Sequence, residues 1–332
     1  MTAPRFSIII PVYNRPNEVN ELLESLLHQS FKGFEVIIVE DGSSTPCGTV
    51  VDNYANSLNI KYFTKENSGP GSTRNYGALK AKGQYMIFFD SDCIIPPNYF
   101  DEVEKVLNDN PADAYGGPDR AHSSFTQVQK AINYSMTSFF TSGGIRGGKE
   151  RLDKFHPRSF NMGISREVFD KTGGFSQMRF GEDIDLSLRI VKSGFTTRLI
   201  TSAFVYHKRR TDFSKFYRQV YNSGIARINL HLLHPGSLKL VHLLPSVFVI
   251  GMILMIIASL FSLYFLLVPF FYCLLVSIHS LSVNRSIMVA FLSIPAAWVQ
   301  LFGYGMGFMH AAWKRLFLKK NEFNAFENNF YK

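Results

Sequence analysis

Charge is what one stretch of this chain lacks. Of 332 residues, those between Val241 and Trp313 include a single ionised side chain, Arg285. That gap, with 46% apolar residues overall, speaks against a disordered chain and against a wholly soluble one. Cysteine is scarce as well. Cys47, Cys93 and Cys273 are odd in number and form no CxxC pair, which leaves no disulfide framework or zinc knuckle and suits a reducing compartment. A cleavable signal is not expected, because the apolar run Phe6–Val12 is short and Asn14, Arg15 and Glu18 follow at once. Repeats and low-complexity tracts are missing, and so is a GxGxxG fingerprint at the first strand. Gly69, Pro70 and Gly71 imitate its first half, but Arg74 holds the third glycine position, so a dehydrogenase is disfavoured.

The net charge of +9 is not spread as a coat for nucleic acid. Lys208, Arg209, Arg210, Lys215, Arg218, Arg227 and Lys239 face only Asp212, directly ahead of the uncharged stretch. A basic collar there reads as a membrane-surface segment. Residues 243–278 carry no charge and are long enough for two helices in a hairpin, with Pro269 in the second half. Residues 287–313 supply a third apolar segment, interrupted by Pro295, Gly303, Gly305 and Gly307. Three crossings would put Lys314, Arg315, Lys319 and Lys320 on the far side, against the positive-inside tendency, so that segment is also a candidate for the interface or for re-entry. A transporter is disfavoured, since these segments offer hardly any polar path for a substrate.

Ahead of the collar the pattern alternates. Phe6–Val12, residues 35–39, residues 60–63 and Tyr85–Phe89 are β-like runs, and helical spacing appears after Pro16 and over residues 71–82. Such βαβ alternation predicts a parallel sheet whose carboxyl ends collect Asn14, Asp41, Asp90 and Asp92 in one crevice. Residues 112–207 loosen into an α+β half. A polar glycine-rich loop is expected over residues 143–151, a strand over residues 159–164, and an amphipathic helix over residues 182–193 that buries Ile184, Leu188 and Val191.

Two acidic pairs stand out. Asp90 and Asp92 leave an apolar strand at i and i+2, a spacing that lets both oxygens share a hard divalent cation, Mg2+ or Mn2+, with ligand phosphates. A lone DxD often only caps a turn; here it follows the fourth strand and is answered by Glu182 and Asp183 at a helix start. Glycines and Phe175 and Phe180 surround that second pair, so a raised pKa suited to a general base is expected there. Arg74, in the first turn of its helix, is placed to face a diphosphate.

Taken in order, FSIIIPVYNR (residues 6–15), VEDGSS (39–44), NSGPGSTRN (67–75), FFDSDC (88–93), GGF (173–175) and GEDIDLSLR (181–189) resemble the family 2 glycosyltransferases of the GT-A fold over about the first 210 residues. The resemblance implies an α/β domain, a Rossmann-like nucleotide-binding half plus an acceptor half. It implies that Pro11, Tyr13, Asn14 and Asp41 border the base and ribose and that Arg74 lies near the base and phosphates. Asp90 would contact ribose or metal-bound water, Asp92 would ligate the metal, Asp183 would be the catalytic base, and Glu182 would sit beside the acceptor. His207 stands where many relatives carry a late histidine near the diphosphate or metal. Glu40 replaces the family's usual Asp, Thr73 a common Ala, and no QxxRW follows the second acidic pair, which disfavours a processive polymer synthase.

The expected organisation is a GT-A domain over residues 1–210, a basic juxtamembrane segment over 211–240, two or three membrane helices over 241–316 and a polar tail over 317–332. The expected activity is inverting transfer of one sugar from a UDP-, GDP- or dTDP-linked donor to a hydroxyl, because a base is needed to deprotonate a hydroxyl and not an already ionised phosphate. A lipid-linked saccharide at the cytoplasmic face of a multi-pass inner-membrane protein is the expected acceptor setting, with no nucleic acid. The rival expectations are a polyprenyl-phosphate glycosyltransferase and a membrane protein that binds nucleotide sugars without turnover.

Overall fold

The computed structural model describes residues 4–143 and 155–321. Residues 144–151 of the expected glycine-rich loop and most of the expected tail lie outside them. Two compact units form. Among the described residues, one unit takes the chain up to Arg120 and residues 155–207; the other takes residues 121–143 and 208–321.

The first unit alternates as its sequence does: β1 (Phe6–Val12), α1 (Pro16–Leu27), β2 (Phe34–Asp41), α2 (Gly48–Asp52), β3 (Ile60–Lys65), α3 (Pro70–Lys80), β4 (Tyr85–Phe89), β5 (Cys93–Ile94), α4 (Tyr99–Asp109), β6 (Ala114–Gly116) and β7 (Asp119–Arg120). After α5 (Gln127–Thr137) and α6 (Phe139–Ser142), which belong to the second unit, it continues with β8 (Asn161–Ser165), α7 (Arg166–Thr172), α8 (Glu182–Lys192), β9 (Thr197–Leu199) and β10 (Val205–His207). Seven strands pair in the order β3-β2-β1-β4-β8-β6-β9. The first four are parallel; β8 then runs antiparallel to both β4 and β6. β1 and β2 are β-branched and buried on both faces, as a strand covered by helices on each side must be. Strand order reverses between β1 and β4, so a crevice opens beyond their carboxyl ends. A second sheet, β5-β10-β7, stands beyond β4.

The α8 helix corrects one expectation. Its buried positions are Glu182, Asp183, Asp185, Leu186, Ser187 and Ile190, while Ile184, Leu188 and Val191 are only half-buried. The acids take the inward face because guanidiniums and a backbone N–H meet them there, which a reading by apolar spacing alone does not register.

The second unit is helical: α5 and α6, then α9 (Phe213–Leu233), α10 (Leu244–Ala258), α11 (Leu267–Asn284) and α12 (Ile287–Ala311). Residues 263–284 and 287–317 form helices long and apolar enough to cross a membrane by length and composition; α10 is shorter. The glycines of α12 serve packing. A Cβ at Gly303 would stand 2.4 Å from Val220 Cγ2 and one at Gly307 2.0 Å from Tyr221 O, so α9 and α12 meet backbone to backbone.

Candidate active site

β4 delivers Asp90 and Asp92 to the crevice, and the small sheet brings them company. In its register His207 of β10 lies opposite Cys93, next to Asp92, and Val205 opposite Asp119 of β7. His207 Nε2 thereby stands 3.1 Å from Asp92 Oδ1 and 3.7 Å from Asp90 Oδ2, with Nδ1 3.9 Å from Asp119 Oδ2. The Phe160 ring stacks on the imidazole at 5.0 Å and fixes its plane. Arg15 reaches over from the end of β1 and donates to Asp92 Oδ2 at 2.5 Å.

A second centre is built on α3 and α8. Gly181, with φ of 87°, turns the chain into α8 so that Glu182 and Asp183 begin the helix facing inward. Arg74 is buried and donates from Nη2 to Asp90 Oδ1 at 2.6 Å and from Nη1 to Glu182 Oε1 at 3.0 Å, its guanidinium lying over the Phe175 ring. Asn75 holds that ring's backbone from both sides, donating to Phe175 O at 2.7 Å and accepting from Phe175 N at 2.8 Å. Gly174 must be glycine here: its φ is 71°, and a Cβ would stand 2.3 Å from Asn75 Oδ1. Asp183 accepts from Arg158 Nε at 2.6 Å and from the Ile184 N–H at 2.8 Å.

The raised pKa expected at this pair falls on only one of the acids. Burial and the Asp183 charge push Glu182 up to about 7 despite Arg74, whose closer contact is with Asp90. Burial acts on Asp183 in the same direction, but Arg158 and the Ile184 N–H overcome it and hold that carboxyl below the usual range.

The residues expected on the nucleotide side divide. Asp41 is buried at the end of β2 and accepts from Ser68 N and Gly69 N, both at 2.9 Å, and from Lys65 Nζ at 2.5 Å, so it shapes the loop leading into α3. Asn14, with φ of 54°, accepts from Thr45 N at 2.9 Å and ties the end of β1 to the loop after β2. Pro11 and Tyr13 are half-buried beside them. Glu40 points away from this edge. It accepts from Cys47 N at 2.9 Å, from Tyr62 OH at 3.0 Å and from Ser43, so the longer acid braces α2 and β3.

Five carboxylates, Asp90, Asp92, Asp119, Glu182 and Asp183, thus gather with three guanidiniums, Arg15, Arg74 and Arg158. Donor atoms of Asp92, Cys93 and His207 lie within 4.8 Å of one another. Burial and the neighbouring Asp92 and Asp90 charges keep the Cys93 thiol protonated, which leaves oxygen and imidazole nitrogen as donors. That set fits a hard or borderline divalent cation such as Mg2+ or Mn2+. Arg15, Asn75, Asp119 and Arg158 received no role from the sequence. Arg15 and Asn75 lie inside the quoted motifs and were within reach; Asp119 and Arg158 lie outside them.

The sequence profile of Glycosyl transferase family 2 matches residues 7–173. An uncharacterized glycosyltransferase of Haemophilus influenzae is 32% identical over 221 residues, covering 63% of this chain and 70% of that protein. Another from Rickettsia felis is 35% identical over 146 residues, 42% of this chain and 23% of that one. The chain spans between 15% and 33% of the length of the four rickettsial relatives first matched. Among solved structures, the mannosyltransferase PcManGT of Pyrobaculum calidifontis, in complex with GDP-Man and Mn2+, aligns over 91% of this chain and 88% of its own, with 17% identity and a TM-score of 0.64. The mixed sheet with its strand-end acids is therefore a GT-A fold, and the chain belongs to glycosyl transferase family 2.

Proposed function

We propose that the chain is an inverting, metal-dependent glycosyltransferase. It moves one sugar from a UDP-, GDP- or dTDP-linked donor to a hydroxyl of a lipid-linked saccharide at the cytoplasmic face of the inner membrane, in glycan or cell-envelope polysaccharide synthesis. One observation carries the reading: Arg74 joins the Asp90/Asp92 centre to the Glu182/Asp183 centre through bonds to Asp90 and Glu182, so a donor's phosphates and an attacking hydroxyl would be served from two sides of one crevice. The neighbour crystallised with GDP-Man and Mn2+ supports the donor class and the cation.

Asp92 and His207 would hold the cation, and Asp90 stands beside them, 3.7 Å from His207 Nε2. When bound, it offsets the charge that grows on the diphosphate as it departs. Arg74 and Arg15 add positive charge on the same side. Pro11, Tyr13, Asn14 and Asp41 form the edge that receives the base and ribose. Asp183 takes the proton of the acceptor hydroxyl, whose oxygen bonds to the anomeric carbon while the carbon–oxygen bond to the diphosphate breaks on the opposite face, giving inversion. Glu182 orients the acceptor. Asp183 is ionised at neutral pH because of Arg158, so it is able to accept a proton once the acceptor displaces that guanidinium.

Two observations favour variants of this reading. The raised pKa of Glu182 favours an exchange of roles between the two acids. A cation beside Asp183 favours an anionic acceptor, a polyprenyl phosphate. A screen of nucleotide sugars with membrane lipid extract, read by product mass, separates these outcomes. A new glycolipid with an added sugar supports the proposal, a polyprenyl-phosphate sugar supports the rival acceptor, and donor binding with neither transfer nor hydrolysis leaves a nucleotide-sugar-binding protein.

A further inference from the structure

The second unit carries an apolar surface with a definite shape. The bend between α10 and α11 exposes Leu260 (83%), Phe261 (88%), Leu263 (77%) and Tyr264 (80%), with no charge anywhere in residues 243–284. A bend that emerged into water beyond a bilayer would place these side chains in the solvent they avoid. Its backbone is suited to hydrocarbon instead. Ser259 N donates to Met255 O, Leu260 N to Ile257 O, Phe261 N and Ser262 N to Ala258 O, and Phe265 N to Ser262 O, so five N–H groups of the turn are met by helical closures rather than by water. At 15 residues, α10 spans about 22 Å, short of the roughly 30 Å hydrocarbon core.

α12 is long enough to cross, yet its packing opposes crossing. Phe308 and Ala311 pack on Ile225 and Ile228 of α9, and Val289 and Ala296 share a cluster with Ala131 and Ile132 of α5 and Phe216 and Val220 of α9. α9 carries buried Arg227 and Asn229, half-buried Gln219 and Asn222, and exposed Lys215 and Arg218. A crossing α12 would carry these groups into hydrocarbon, where charge is rare and costly. On its other side α12 meets the hairpin: Ser293 and Ser280 hydrogen-bond, and Phe248, Tyr272, Trp298 and Phe302 form an aromatic cluster. Exposed cations flank the apolar helices along the chain: Lys239 ahead of α10, Arg285 between α11 and α12, and Lys319 and Lys320 after α12.

The geometry points to a monotopic membrane anchor: the α10–α11 hairpin dips into one leaflet of an anionic bilayer, α12 lies along the interface above the polar helices α5 and α9, and the chain does not cross. This rests on the proposed membrane association and replaces its multi-pass form. The flanking cations suit anionic headgroups on a single face, and the monotopic form removes the far-side placement of Lys314 to Lys320 that three crossings would require.

The test uses the full chain in sealed inner-membrane vesicles of known orientation and a membrane-impermeant maleimide. Single substitutions Ser262→Cys, Arg285→Cys, Lys320→Cys and, as a marker of the catalytic side, Lys105→Cys are compared with the native chain, whose Cys47 and Cys93 are buried. The expected result is labelling of positions 285 and 320 from the same face as position 105, and no labelling of position 262 from either face until detergent dissolves the vesicles. Labelling of position 262 from the opposite face, or of positions 285 and 320 from opposite faces, would overturn the inference while leaving membrane association intact. A chain that is washed off the vesicles by buffer would overturn both, and position 262 still shielded in that washed protein would assign the apolar face to a second copy of the chain.

Discussion

Arg158 and Asp183 form an ion pair, Nε to Oδ2 at 2.6 Å, at the residue to which proton abstraction is assigned. The guanidinium keeps the carboxylate ionised in a buried place where it would otherwise tend to protonate. In Arg158→Gln the largest influence opposing burial is lost, and the Asp183 pKa rises. The acid limb of the pH dependence of kcat/KM is therefore expected to move to higher pH. An unmoved acid limb with unchanged rate would separate Arg158 from the reacting centre.

Glu182 and Asp183 act on stability in opposite senses. Glu182 is raised from 4.5 to about 7, so between those values the folded chain holds a proton that the unfolded chain has lost, and its contribution falls as pH rises through the window. Asp183 is lowered, so its contribution is present above its unfolded pKa and is lost as pH falls through its folded one. Glu182→Gln should flatten the decline in denaturant midpoint between about pH 4.5 and 7. A decline of the same steepness in the variant would place its origin elsewhere.

Asp92→Asn removes one of the two residues assigned to the cation and leaves Arg15 without its carboxylate partner. Calorimetry with Mn2+ and a nucleoside diphosphate should show metal-dependent binding lost while the thermal transition is kept. Unchanged affinity in the variant, or activity persisting in chelator, would remove the cation from the account.

Gly307→Ala puts a methyl group 2.0 Å from Tyr221 O, and overpacking of this kind costs about 1–3 kcal/mol. The melting temperature in detergent should fall, and a Gly251→Ala control, within a helix and with nothing within 4 Å of the added Cβ, tests whether the loss is specific to packing. Equal melting of native and Gly307→Ala protein would show that α9 and α12 are not in contact.

β1, β2 and β4 were legible because strands buried on both faces are continuous apolar runs, β3 and α3 because they continue the alternation, and the order of the motifs because the strand ends carry the polar residues. Asp119 was not, since β7 is two residues long and exists only through pairing with β10. Arg158 lies outside any periodic segment and meets Asp183 only in the folded chain. Composition also hid a partnership within the second unit. Ala131, Ile132 and Met136 of α5 pack with Val289 and Ala296 of α12, so ending the chain near Lys239, where the charge gap invites a cut, would leave α5 exposing apolar surface. The acids of α8 inverted its apparent amphipathic face, because ion pairs rather than apolar contacts decide which side of that helix is buried.

The central claim is tested most directly by the kinetics of Asp183→Asn beside Glu182→Gln, with the donor and hydroxyl acceptor found in the screen. A general base contributes typically about 10²- to 10⁴-fold, so Asp183→Asn should keep near-normal nucleotide-sugar affinity and lose at least about a hundredfold in kcat, with Glu182→Gln milder and weighted toward acceptor KM. Normal transfer by Asp183→Asn alongside an inactive Glu182→Gln would exchange the two roles; full activity in both would contradict base-assisted transfer at this site.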